Sequence, residues 1–207
     1  YAKDCNLRYN SNGLELPDKL FKLWDHFKEV RFNFSIDAYG QRNDYIRYPS
    51  KWSDVEANLK RLDQNTKDNT VINIACAVQL LNAGYIDELA EWKMDQGFSK
   101  INPSMFGGGI IGTHLVYLPS YLNVQVLPKQ AKDWIKNKVE TFIDRQKFNL
   151  EFNQHPYGAQ RWHGLIKYMM QEDWSHKLPA LQEYLQVTDE RRGTDFRKTF
   201  PELGQYI

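Results

Sequence analysis

VRFNFSIDAYGQRNDYIRYPSKW, residues Val30 to Trp52, decides how the rest of the chain is read. Val30, Phe32, Phe34 and Ile36 alternate with polar residues, the two-residue period of a strand with one buried face. At its carboxyl end this apolar run hands over to Ser35 and Asp37, and a polar loop carrying Arg47 between Tyr45 and Tyr48 follows. In α/β proteins a buried strand that ends in polar side chains is where ligand-binding groups are placed.

Working outward, the segments on both sides alternate in the same way. Leu7 to Asn10 reads as a short strand closed by Ser-Asn-Gly, and a helix starts at Leu16-Pro17-Asp18 with Leu20, Phe21, Leu23, Trp24 and Phe27 at helical spacing. Downstream, Trp52 to Leu62 is a second helix, with Ser53 and Glu56 spaced as a capping box. Thr70 to Leu81 (TVINIACAVQLL) is a near-continuous apolar run, as in a strand covered on both faces. Asn82-Ala83-Gly84 breaks it, Tyr85 to Asp95 gives a third helix stopped by Gly97, and Phe98 to Asn102 is a further short strand. Each strand–helix–strand step takes about the 30 residues of a βαβ unit, which predicts a parallel sheet with right-handed crossovers. An open doubly wound sheet and a slice of a (β/α) barrel both satisfy this pattern.

The second half changes character. Pro103 to Gly112 is a glycine-rich loop, and His114–Leu118 and Leu122–Leu127 flank a turn at Pro119-Ser120-Tyr121. Pro128 opens a long helix from Lys129 to about Asp144, and Tyr157 to Met170 and Leu178 to Val187 are further helices. The division expected is 1–148 for the α/β part and 149–207 for a C-terminal helical extension.

Bulk properties exclude several classes. Among 207 residues, 27 basic and 26 acidic side chains leave a net charge of +1, which gives no electrostatic drive toward nucleic acid or a membrane surface. No stretch approaches the ~20 apolar residues of a membrane span. Two cysteines, Cys5 and Cys76, are too few for a disulfide framework or a cysteine-only metal site, so a reduced, cytoplasmic setting is expected.

Ligands of parallel α/β folds sit at strand carboxyl ends. Asn12 and Gly13 follow the first strand, Ser35 and Asp37 end the second, Gln79 and Asn82 the third, and Asn102 the fourth. Amides, a hydroxyl and a carboxylate suit hydrogen bonds to a ribose, an amine or a carboxylate. The plainer alternative is that short polar residues simply begin loops. Arg47 could clamp a carboxylate bidentately or stack on a neighbouring tyrosine. Gly107-Gly108-Gly109 lacks the P-loop spacing and reads as a loop. His114, His155, His163 and His176 show no metal-ligand spacing.

The same residues resemble a known family. The chain is similar to the C-terminal two-thirds of a radical S-adenosylmethionine (SAM) protein, most of all the twitch-domain-containing type common in bacteriophages and marine microbes. Asn10-Ser11-Asn12-Gly13 resembles the family's Thr-Asn-Gly turn after the third barrel strand, with Ser11 for Thr. Phe34-Ser35-Ile36-Asp37-Ala38-Tyr39-Gly40 resembles the segment ending the fourth strand, with Ala38 where Gly is commoner. Tyr45–Tyr48, Lys51-Trp52 and Val55–Leu59 resemble the next loop and helix, Ala77–Asn82 the fifth strand, and Arg192–Phe196 with Phe200–Leu203 the C-terminus.

The resemblance implies a partial TIM-type barrel binding SAM, with Ser35 and Asp37 facing the ribose, Arg47 the methionyl carboxylate, Asn12 supporting that pocket, and Gln79 or Asn82 the adenosyl side. It implies a 5′-deoxyadenosyl radical that abstracts hydrogen from a peptide, nucleotide or sugar substrate. The family's C-x-x-x-C-x-x-C loop, which holds the [4Fe-4S] cluster, has no counterpart here, nor does the glycine-rich motif that meets the methionine amino group; both are expected upstream of Tyr1, as are auxiliary-cluster cysteines. Without them this chain is expected to be inactive alone and to need an N-terminal segment or an oligomer. A non-catalytic half-barrel binding protein, or an iron-independent SAM- or nucleotide-binding α/β protein, are the alternatives.

Overall fold

A computed structural model describes residues 1–101, 110–153 and 158–207. Asn102, the Gly107–Gly109 loop, His155 and Tyr157 lie outside the described residues. The chain runs β1 (Asn6–Ser11), α1 (Asp18–Trp24), β2 (Glu29–Ser35), α2 (Gln41–Ile46), α3 (Trp52–Asn65), β3 (Thr70–Val78), α4 (Ile86–Asp95) and β4 (Gly112–Leu115). A helical region follows: α5 (Lys129–Arg145), α6 (Leu150–Asn153), α7 (Gly158–Gln171), α8 (Leu178–Arg192) and α9 (Phe196–Thr199).

The four strands form one sheet in the order β1-β2-β3-β4, every neighbouring pair parallel. The expected α/β class, parallel sheet and helical C-terminal part are therefore present. The register places Tyr9 beside Phe32 and Phe32 beside Ile72, so the alternating apolar residues of the strands share one face. Trp24 of α1 packs on that face, its ring 5.9 Å from Tyr9 and 5.6 Å from Phe32. The buried apolar side chains form one continuous cluster that reaches from Leu16 to Leu203.

The opposite face is polar. The register sets Asn10, Asn33 and Asn73 side by side across three strands. The Asn73 amide donates to Asn33 Oδ1 (3.2 Å), and the Asn33 amide donates to Asn10 Oδ1 (2.8 Å). Toward the strand ends this face is carpeted by Ala75, Ala77 and Gly112.

Several elements depart from expectation for identifiable reasons. The strand expected over 98–102 reduces to one parallel bridge, Ile101 to Ile72, and β4 supplies the ladder instead. The Asp63 carboxylate of α3 accepts the backbone N–H groups of Ser99, Lys100 and Ile101, amides a longer strand would have used. Helix α2 lies inside the segment expected to be a loop; its six residues include too few apolar positions to show a period. The capping box does not form: α3 begins at Trp52, with Lys51 at the cap making no side-chain bond. The helix starts at Trp52 as expected, with that ring 5.2 Å from the Tyr39 ring and 4.8 Å from Trp92. Leu122–Leu127 makes 3-10 turns rather than a strand, the second capped by Asn123 Oδ1, which accepts Gln125 N–H at 2.9 Å. The apolar run from Thr70 stops as a strand at Val78.

Among the described residues, no helix is long and apolar enough to cross a membrane.

Candidate functional site

The polar residues expected at the strand ends do gather at the carboxyl end of the sheet, and much of their bonding completes the ladder itself. β2 leaves the sheet after Ser35; Ile36 N–H still reaches Ala75 O (3.0 Å), but the next β3 amide, Ala77 N–H, has no backbone acceptor on β2. Asp37 Oδ1 accepts it at 2.8 Å. Its other oxygen, Oδ2, pairs with Arg47 Nε at 2.9 Å, and its own N–H donates to Asn43 Oδ1 at 3.2 Å. Asp37 is only 5% exposed, so its carboxylate is turned into the protein.

Asn82 does the same work where β3 leaves. Its Nδ2 donates to Asp37 O (2.7 Å) and Ala77 O (3.0 Å), while Oδ1 accepts Gln79 N–H (2.7 Å). It is fully buried. A backbone group buried without a partner is costly, so both strand exits are closed by short polar side chains acting as surrogate backbone.

The remaining residues are less committed. Ser35 is half-buried on the polar face, paired in register with Ala75. Gln79 is buried, and its Oε1 has no hydrogen-bond partner among the described residues. The Arg47 side chain keeps 25% of its surface, and among the described residues nothing but Asp37 is paired with it. Asn12, one step beyond the last register pair Ser11–Phe34, is exposed; its Oδ1 accepts Leu14 N–H at 3.2 Å in a local turn. Ser35, Asp37, Arg47, Gln79 and Asn82 thus meet at one rim, while Asn12 stands at its outer end. Two participants were missed: Asn43, within the unrecognised α2, and the Asn10–Asn33–Asn73 row, whose signal was the polar half of the same alternation that marked the strands.

Electrostatics follow from burial. Desolvation pushes the Asp37 carboxyl above its ordinary range, and the Arg47 guanidinium and the Ala77 N–H offset it only in part. The native state thus keeps a proton that the unfolded chain releases near pH ~3.9. Stability owed to this group is full below that value and is lost as pH rises through the higher native pKa. Asp37→Asn removes the titration, so the variant's deficit relative to wild type should shrink as pH rises above about 4. Urea melts from pH 3.5 to 7 would show it; a deficit that is flat or widens with pH contradicts the assignment. The adjacent Cys76 thiol, 0% exposed, is pushed well up by burial and by Asp37.

A cleft of about 600 Å³ lies along β4, between Val78, His114 and Tyr117 on the strand side and Gln160 and Leu165 of α7, and it is lined by none of the residues just described. Among the described residues, no group of three His, Cys, Asp or Glu side chains is placed to hold a metal ion.

Compared with known proteins, the chain matches no protein-family model and no curated protein.

Proposed function

We propose that this chain is the ligand-binding part of a radical SAM enzyme, a partial (β/α) barrel whose strand ends receive S-adenosylmethionine. The reading rests on the resemblance set out above, and one observation carries it further: a guanidinium paired with a buried carboxylate, and a buried amide oxygen with no partner among the described residues, stand with Ser35 near the carboxyl ends of β2 and β3. The strand order favours a barrel. Doubly wound sheets reverse order about their first strands. Consecutive parallel strands joined by right-handed crossovers put every helix on one side, as a barrel does. The polar opposite face, floored by small residues near the rim, has the character of a barrel interior that admits a ligand.

In this reading the residues divide by role. Arg47 meets the ligand carboxylate with its terminal nitrogens while Nε stays on Asp37; a charge-assisted pair of this kind supplies both affinity and orientation. Asp37 positions Arg47 and does not itself touch a ribose. Ser35 and the Gln79 amide serve the ribose and adenosyl sides. Asn82 holds the frame, and Asn12 closes its outer end.

The [4Fe-4S] cluster does not fit this chain. Such clusters are held by cysteine thiolates, and the sequence has only the exposed Cys5 and the sealed Cys76. The second reading, a SAM- or nucleotide-binding α/β protein without iron chemistry, asks for no thiolate ligands.

Calorimetric titration of the 207-residue chain with S-adenosylmethionine tests the proposal. Binding is expected, weakened about 10- to 100-fold in Arg47→Met, the loss of one charged hydrogen-bonding partner. A chain that binds no S-adenosylmethionine at millimolar ligand overturns it.

A further inference from the structure

Helix α2 delivers Arg47, yet its six residues lack a side-chain cap and are too few to be stable alone. Asp37 N–H on Asn43 and the Arg42–Glu88 pair support it locally, and the far end of the chain adds a further brace. Helix α8 ends at Gly193, whose left-handed φ of 63° turns the backbone, and the Asp189 carboxylate fixes the turn by accepting Thr194 Oγ1–H (2.7 Å) and Phe196 N–H (2.8 Å). The returning tail then lies on α2. Arg192 Nη1 donates to Tyr45 O at 3.1 Å, the carbonyl two residues before Arg47. The Phe200 ring meets the Tyr45 ring edge-on at 5.3 Å and Tyr85 at 5.7 Å. Tyr85 O–H donates to Glu202 Oε2 at 3.0 Å and accepts Leu203 N–H at 3.2 Å. Arg42 of α2 stands over the Tyr85 ring at 4.0 Å and reaches Glu202 at 3.7 Å.

We infer that the segment Arg192–Ile207 is a clasp that sets the position of Arg47, so that Arg192 and Phe200 are positioning residues for the rim and tail docking is coupled to ligand binding. The contacts of the tail on α2 fall on Arg42 and Tyr45, and Arg47 N–H is itself tied back to Asn43 O at 2.8 Å, so displacement of the tail is passed to the guanidinium through one short rigid turn. The coupling to ligand rests on the proposed function; the positioning of Arg47 does not.

Two measurements on the full chain separate these. In a ¹⁵N NMR spectrum, Phe200→Ala should broaden or shift the Arg47 Nε–H resonance, and Phe200→Tyr, which keeps the ring, should restore it. In titrations with S-adenosylmethionine, Phe200→Ala should weaken binding about tenfold, within the usual range of coupling between sites. Placed in an Arg47→Met background, the same substitution should change affinity less than about twofold, because the residue through which it acts is gone. If Phe200→Ala does not fold, Arg192→Met, which deletes the hydrogen bond to Tyr45 O, is read the same way. A folded variant whose Arg47 resonance is unmoved overturns the clasp. Wild-type protein that binds no S-adenosylmethionine overturns the function of the rim and leaves the resonance to decide the clasp. Equal losses in both backgrounds overturn the coupling.

Discussion

Asn82→Ala is expected to lower the unfolding free energy by about 3–5 kcal/mol, the cost of leaving several buried polar groups unpaired at roughly 1–3 kcal/mol each. The groups stranded are Gln79 N–H, Asp37 O and Ala77 O, all gathered by this one amide. The chemistry, not the volume, carries the effect. Asn82→Asp preserves shape but cannot donate to the two carbonyls, and it should cost as much. Urea denaturation checks both: the midpoint should fall while the slope stays unchanged. A loss under about 0.5 kcal/mol, the scatter of surface substitutions, would mean that Asn82 does not close the strand exit.

The second large effect belongs to Gly13, in the turn that follows β1. Its φ of 66° is left-handed, and a Cβ built there would lie 1.9 Å from Cζ of the buried Phe34 ring. The left-handed conformation costs a non-glycine residue about 1–2 kcal/mol, and forcing a buried ring aside adds about 1–3 kcal/mol. Gly13→Ala should therefore cost roughly 2–5 kcal/mol. Gly193 gives the control: φ is 63° and ψ 34°, also left-handed, but nothing lies within 4 Å of its Cβ position. Gly193→Ala should show only the conformational part. Shortening Phe34 to Leu in the Gly13→Ala background should recover part of the loss, a coupling visible in a double-mutant cycle. Equal costs at the two glycines would remove the Phe34 overlap from the explanation.

Much of this molecule could be read from its sequence because the strands alternate cleanly. Val30, Phe32 and Phe34 announced β2, and the end of that run announced the strand exit where Asp37 pairs with Arg47. What stayed hidden depends on contacts distant in sequence. Helix α2 has no period of its own and is braced by Asp37, Glu88 and a tail some 150 residues away. The strand expected at 98–102 yields to one carboxylate, Asp63, that captures its amides. Asp37 looked like a ligand for a small molecule because its type and place suited that role. Only the geometry reveals that β3 needs its oxygen to finish a ladder. Short polar residues at strand ends serve frame and ligand alike, and their partners, not their identity, tell the two apart.

The row of asparagines on the polar face has a bearing on how the chain finds its pairing. Asn73 donates to Asn33, and Asn33 to Asn10, only when β1, β2 and β3 are aligned as they are. A slip of a single residue would send one asparagine through to the oily side and set its neighbours against mismatched side chains. The row therefore works as a key that fits one alignment of three strands, adding to the constraint that the buried apolar face already imposes on assembly.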